Sequence, residues 1–214
     1  MSCGNAAMPS AIASARSTCV PGGTISVTRP MRSASSTSTM RPLRTRSSAR
    51  PQPTIAAVSG WAVAGGLELA LWCDLRVASE SATFGCAERR WGVPLIDGGT
   101  QRLPRIVGQG RAMDLILTGR IIDAGEALSW GLITECVPAR EPLSRALEIA
   151  EGLAQFPQDT MLADRAAALA SFGHPLEAGL AIEAAAGLPT LQTALAGAKR
   201  FAGGEGRGGA GSGV

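Results

Sequence analysis

The chain has 214 residues, 45% of them apolar, which is enough for one domain with a real core, or one domain and a tail. Its net charge of +3 hides an asymmetry: residues 1–50 carry seven arginines and no acid, whereas residues 51–214 carry twelve arginines, one lysine and 17 acids. No stretch has the length and apolarity of a membrane span, and one histidine, five scattered cysteines and no CxxC spacing exclude a zinc constellation.

The first 52 residues read as a low-complexity arm. Ser, Thr and Arg fill 24 of the first 50 positions, and "RSASSTSTMRPLRTRSSAR" has no apolar periodicity with which to offset its ordering entropy. A basic arm on an acidic body suits nucleic acid in general, but this composition reads better as an aberrant segment, and no nucleic-acid partner is expected. No apolar core of seven or more residues follows the early arginines, so the segment does not read as a convincing secretory signal; the Ser/Arg-rich, acid-free composition matches a mitochondrial transit peptide only superficially. Cys73 and Cys136 fall in apolar runs and are expected to be buried free thiols, which suits a reducing cytoplasm.

The pattern changes at Pro53. "TIAAV" (54–58) reads as a buried strand, and "GLELALWC" (66–73), apolar on nearly all sides, as a short buried helix. Strands are expected at 74–79 and 82–85, then a helix at 110–119 closed by Gly119. In "DAGEALSWG" (123–131) Asp123 and Glu126 have capping-box spacing. A strand at 132–137 follows, then helices at about 143–155, 158–171 and 175–200, separated by Pro157 and by Gly173–Pro175. Residues 53–140 are thus an α/β core, 141–202 a helical region, and the Gly-rich end from 203 a frayed tail.

The stretch "VSGWAVAGGLELALWCD" (58–74) combines a glycine turn with an acid in an apolar helix. Gly60 and Gly65 have phosphate-loop spacing, but the Lys and Ser or Thr that loop needs are replaced by Gly66 and Leu67. What remains is strand, glycine turn and buried helix, whose first N–H groups form a preorganised site for developing negative charge. A tight turn with no ligand has about equal standing for the glycines alone. Glu68 can be an ordinary first-turn acid, and Glu88, in "FGCAERRWGVP", a surface acid paired with Arg89 or Arg90. If the two converge on one water, they can divide the base and acid roles. His174 reads as a helix-boundary residue. Trp61, Trp72, Trp91 and Trp130 follow no single face and read as core or interface.

Three segments, "TIAAVSGWAVAGGLELALWCDLRVAS", "ATFGCAERRWGVPLIDGGTQRLPRIVG" and "LILTGRIIDAGEALSWGLITECVP", resemble the enoyl-CoA hydratase (crotonase) family in order, from about Pro53 to about Phe201. The resemblance implies a ββα spiral core, here partial, with a C-terminal helical trimerisation region. It implies an acyl-CoA thioester substrate, water addition across a 2,3 double bond in fatty-acid metabolism, and a homo-oligomer, trimer or hexamer. It implies neither a metal nor a cofactor, coenzyme A being part of the substrate, and no membrane partner. By position, Gly65 with Gly66 matches an oxyanion N–H, Glu68 the base and Glu88 the proton donor to the α-carbon, with their spacing of 20 kept. The family's "AG.D" segment and second oxyanion N–H have no counterpart in residues 1–50, so the chain reads as lacking the usual N-terminal half. "PLIDGG" places Ile96 and Asp97 where many hydratases carry small residues. Asp97 is a possible additional acid for isomerase chemistry, against a turn residue before Gly98–Gly99. Beside hydratase, another crotonase-fold enzyme such as an isomerase, or an inactive relic that only oligomerises, fits the same residues.

Overall fold

A computed structural model describes residues 16–20, 23–28 and 52–206. The first two segments are strands β1 (Arg16–Val20) and β2 (Gly23–Thr28), which lie within the expected low-complexity arm, where no apolar periodicity marks them. β2 runs parallel to β3 (Thr54–Val58), with Val27 opposite Ile55. The rest of the expected arm, and the tail from 207, lie outside the described residues.

From β3 the chain repeats a unit of strand, strand, helix. The first turn is β3, β4 (Trp61–Val63) and α1 (Gly65–Trp72). The second is β5 (Leu75–Ser79), β6 (Thr83–Gly85) and the helices α2 (Gly99–Val107) and α3 (Gln109–Thr118), preceded by a 3-10 helix (Ala87–Trp91). Like strands of successive turns pair in parallel: Ile55–Val58 beside Leu75–Ala78, and Trp61–Val63 beside Thr83–Gly85. β7 (Ile121–Asp123) closes the small sheet against β6, and β8 (Glu135–Val137) extends the large one beside β5, giving orders β4-β6-β7 and β1-β2-β3-β5-β8. This is a ββα spiral. All five residues of β3 are buried, as expected for a strand covered on both faces of a parallel sheet. Phe84, Leu67, Leu103, Leu115, Ile122 and Leu132 fill the space between the layers.

Short turns of the spiral leave helix ends inside the protein, and these ends need partners. Arg76 supplies them for α1. Only 6% exposed, it donates Nε–H to Leu132 O at 2.6 Å and Nη1–H to Cys73 O at 2.7 Å and Ala70 O at 3.4 Å. Cys73 and Ala70 are at the carboxyl end of α1, where a cation also complements the helix dipole. In α4 (Ala124–Ser129) the cap expected from the sequence is half formed. Asp123 accepts the Glu126 N–H at 2.8 Å, but the Glu126 carboxylate takes a two-pronged bond from Arg120 at 2.6 and 3.0 Å instead of reaching back. α2 was not expected, because Pro104 lies within it. Pro104 is the sixth of the nine residues of α2, so the N–H it lacks gives up one bond within the helix, to Thr100 O.

α5 (Pro142–Gln155) leads to the C-terminal helices α6 (Gln158–Ala170), α7 (Leu176–Gly187) and α8 (Leu191–Ala202). The single helix expected over 175–200 is broken by a 3-10 turn at Leu188–Thr190, since Pro189 removes a backbone donor. Thr193 of α8 donates to Asp159 of α6 at 2.5 Å. His174 does sit at a helix boundary, its N–H on Ser171 O, and it borders a cavity of 390 Å³ between α6 and α7. Among the described residues no helix is long and apolar enough to cross a membrane.

The Arg76 capping makes a testable statement about α1. Arg76→Met leaves three buried carbonyls without their charged donor, and is expected to lower the unfolding free energy by about 2–4 kcal/mol in urea denaturation.

Candidate active site

The chain leaves β4 through Ala64, with φ 53° and ψ −132°, and enters α1 at Gly65. Ala64 is the only non-glycine with positive φ among the described residues. That conformation is strained for an L-residue, by of order 1–3 kcal/mol. Two hydrogen bonds hold it: Ala64 N–H to Gly85 O at 3.0 Å, and Glu68 N–H to Ala64 O at 3.1 Å. The second is the first bond of the helix, so the N–H groups of Gly65, Gly66 and Leu67 have no acceptor within it, and no side chain caps them. A Cβ on Gly66 would meet nothing within 4 Å, so this end of the helix is open to an approaching group.

Glu68 lies one turn into α1 and is 4% exposed. Its Oε1 accepts two backbone N–H groups, from Gly99 at 2.7 Å and Asp97 at 3.0 Å. The acid therefore caps α2 from another helix, rather than serving its own first turn. Oε2 accepts no hydrogen bond from the described residues. Burial raises the Glu68 pKa above the ordinary carboxylate range, the Gly99 N–H opposes this, and the charge of Asp97 adds to the rise.

Glu88 sits in the 3-10 helix, 7% exposed, with both carboxyl oxygens enclosed and without a hydrogen-bond partner. The surface pairing with Arg89 or Arg90 does not form. Those guanidinium groups turn to the end of α3, Arg89 Nε to Ile116 O at 3.2 Å and Arg90 Nε to Gly119 O at 3.1 Å. Burial is again the first cause that raises the Glu88 pKa; its own backbone N–H and the Arg89 charge oppose it. Cys86 lies between the two acids electrostatically. Burial, then the charges of Glu88 and Glu68, push its thiol up to about 12, so it is an inert, protonated thiol.

Asp97 is the turn residue before Gly98, and its Oδ2 also lies 3.9 Å from the Cβ position of Gly65, over the open helix end. The structure thus gathers Gly65, Gly66, Glu68 and Asp97 around one helix start, with Glu88 close enough for its charge to act on Glu68. Ile96, which stands where many hydratases carry small residues, is solvent-exposed. Cys136 is exposed rather than buried, being on the short edge strand β8, while Cys73 and Cys86 are buried and free. Trp61 and Trp91 are exposed rather than core, and Trp130 packs under Arg120 and Arg111, 5.1 and 5.5 Å from its ring centre. The strained Ala64 and the carboxylate cap on α2 went unread. Only the "DGG" run hinted at the second, by putting bare N–H groups next to a possible acceptor.

The enoyl-CoA hydratase/isomerase family profile matches residues 22–202, starting within the expected arm and ahead of the Pro53 limit of the resemblance. Among curated relatives, a probable enoyl-CoA hydratase of Rhizobium meliloti is 46% identical over 132 residues, 62% of this chain and 51% of that protein. A probable mitochondrial enoyl-CoA hydratase of Dictyostelium discoideum is 42% identical over 132 residues, 62% of this chain and 48% of that one. The crystal structure of an enoyl-CoA hydratase from Bacillus anthracis superposes with a TM-score of 0.67 at 41% identity, covering 71% of this chain and 59% of that one. The chain belongs to the enoyl-CoA hydratase/isomerase family and has its crotonase fold, and it spans about half the length of the curated relatives it matches.

Two stability measurements check this geometry. Ala64→Gly is expected to raise the denaturant midpoint, because relief of strain outweighs the roughly 0.5–1 kcal/mol that glycine's freedom costs; Ala64→Val is expected to lower it. The second concerns pH. Glu68 and Glu88 hold their protons more tightly in the folded chain than in the unfolded one. Their contribution is therefore full below the unfolded value, about 4.3, and is lost as pH rises through the raised folded values. Glu88→Gln should flatten this decline in unfolding free energy when denaturation is repeated across pH.

Proposed function

We propose that this chain carries the hydration machinery of an enoyl-CoA hydratase, with Glu68 as base and Glu88 as acid at the helix end that begins with Gly65. The observation that carries the reading is the contrast between two buried glutamates. Glu68 has one oxygen locked by two N–H groups and the other free, which suits a base that must hold a water in one direction. Glu88 has no hydrogen-bond partner for either oxygen, and burial raises its pKa, which suits an acid.

In the proposed step Glu68 takes a proton from water as the water oxygen bonds to the β-carbon of a 2-enoyl thioester. The electron pair of the double bond moves toward the thioester carbonyl, forming an enolate. The Gly65 N–H, with the α1 dipole behind it and Gly66 leaving the approach open, stabilises the enolate oxygen; loss of one such donor costs about 3–4 kcal/mol of barrier. Glu88 then gives its proton to the α-carbon, and water has been added with no net redox change. The second oxyanion donor that the resemblance implies is not assigned to any described residue.

Asp97 favours a second reading. Its carboxyl lies over the same helix end, where one acid could move a proton between carbons of a 3-enoyl thioester, as an isomerase does. The two readings separate on turnover. A 2-enoyl-CoA is expected to be hydrated, and Glu68→Gln and Glu88→Gln each to lose about two to four orders of magnitude in rate while acyl-CoA binding persists. Turnover of the 3-enoyl isomer alone, abolished by Asp97→Asn but not by Glu68→Gln, would replace the hydratase reading with the isomerase. No turnover of either substrate would overturn both.

We also propose that the chain self-associates. Leu176, Leu180, Leu188, Leu191, Leu195 and Phe201 are all exposed along α7, the 3-10 turn and α8, more apolar surface than a lone helical region keeps in water. Sedimentation velocity is expected to show an oligomer, and Leu180→Lys with Leu195→Lys to dissociate it. A wild-type monomer at micromolar concentration contradicts the proposal.

A further inference from the structure

Arg102 stands in the second turn of α2, is half-buried, and folds back over the turn that holds Glu68. Its Nη1 donates to Asp97 O at 2.7 Å, and its backbone N–H donates to Gly98 O at 2.9 Å. Asp97 is thus gripped from two sides: its carbonyl by Arg102, its N–H by Glu68 Oε1. Gly98 makes this possible. With φ +99° it adopts a conformation that favours glycine, and a Cβ there would lie 2.9 Å from Arg102 Cζ, so the guanidinium lies across space that any side chain would fill.

We infer that Arg102 is the positioning residue of Glu68: by fixing the Asp97–Gly99 turn it holds the two N–H groups on Oε1, and so sets the direction and the ionisation of the Glu68 carboxylate. Among the described residues, the titratable groups around that carboxylate are Asp97 in the turn, Glu88 in the 3-10 helix, the protonated Cys86 thiol and Arg102 itself. Arg102 faces Glu68 and Asp97, whereas the Arg89 charge bears on Glu88 and Cys86. The charges of Glu68 and Asp97 in turn favour the charged form of Arg102, against the burial that lowers its pKa. Without the guanidinium, the turn loses its anchor and Glu68 and Asp97 lose a facing positive charge. Both effects raise the Glu68 pKa.

This deepens the hydratase reading but depends on it only for the rate readout. The experiment follows the Glu68 side-chain carboxyl by carbon-13 NMR in the full chain, assigned through Glu68→Gln. In Arg102→Met the titration midpoint is expected to rise by about one pH unit. Arg102→Lys keeps the charge but not the fork, and is expected to give a smaller rise. If hydration is measurable, the acid limb of its pH profile moves up with the midpoint, and kcat falls more than KM rises. A folded Arg102→Met with an unmoved Glu68 midpoint overturns the proposal. Should Arg102→Met fail to fold, Arg102→Lys decides: an unmoved midpoint there overturns it equally. A moved midpoint without any turnover would retain the positioning role and count against the hydratase reading alone.

Discussion

The bonds from the Asp97 and Gly99 N–H groups to Glu68 Oε1 are the constraint around which this site is arranged. They join α1 to the start of α2 across the buried face of the spiral, and they dictate what can stand at 99. A Cβ on Gly99 would come within 2.9 Å of both Cγ and Oε1 of Glu68, and 2.5 Å of Leu95 Cδ2. The carboxylate occupies the volume that a side chain would need. Gly99 is therefore a packing consequence of the acid, and the acid is tolerated in the core because the Asp97 and Gly99 N–H groups face it. At the other end of α1, Arg76 meets the free carbonyls. The helix is fixed at both ends, and the open N–H groups at Gly65 are held by structure that they do not themselves contribute to.

The two glutamates show how one dry environment produces unlike acids. Burial raises both. Glu68 is partly compensated by strong charge-assisted N–H bonds, whereas Glu88 receives no side-chain or neighbouring backbone donor. The arginines next to Glu88 in sequence serve the carboxyl end of α3 and the Gly119 carbonyl that follows it. Their guanidinium groups anchor the 3-10 helix while leaving the carboxyl itself without a hydrogen bond. Cys86 registers the same field: a thiol pushed to about 12 marks a place that is both desolvated and negative.

Much of the fold was legible because its elements are locally consistent. β3, α1, α3, α5 and α6 fall within a residue or two of the pattern-based limits, each with a continuous apolar run or a clear glycine or proline stop. The losses have specific causes. β4 and β7 have three residues each, too short for alternation to show, and they exist because a neighbouring strand is present, while only Glu135–Val137 of the strand expected at 132–137 forms as β8. β1 and β2 lie in Ser/Thr-rich sequence, where pairing rather than apolar pattern defines the strand. Within the site, Glu68, Gly65 and Gly66 could be singled out from the sequence because an acid and glycines break an apolar pattern. The partner of Glu88 was misread because helical neighbours suggested an ion pair, whereas the arginine side chains reach a different helix.

The spacing between the two acids follows from the spiral itself. β4 and β6 are parallel neighbours with Val63 opposite Gly85, and the register is sealed one residue further by the Ala64 N–H on Gly85 O. Glu68 follows the end of β4 by one helical turn, and Glu88 follows the end of β6 within the first turn of its own short helix. Residues that leave the carboxyl ends of adjacent parallel strands arrive on the same side of the sheet, which is where open parallel sheets place their ligands. A separation of 20 residues is thus close to one full repeat of strand, strand and connection. The strained turn at Ala64 is where the register of the strands and the start of the helix must agree, and its unusual backbone conformation is the local consequence of making them agree.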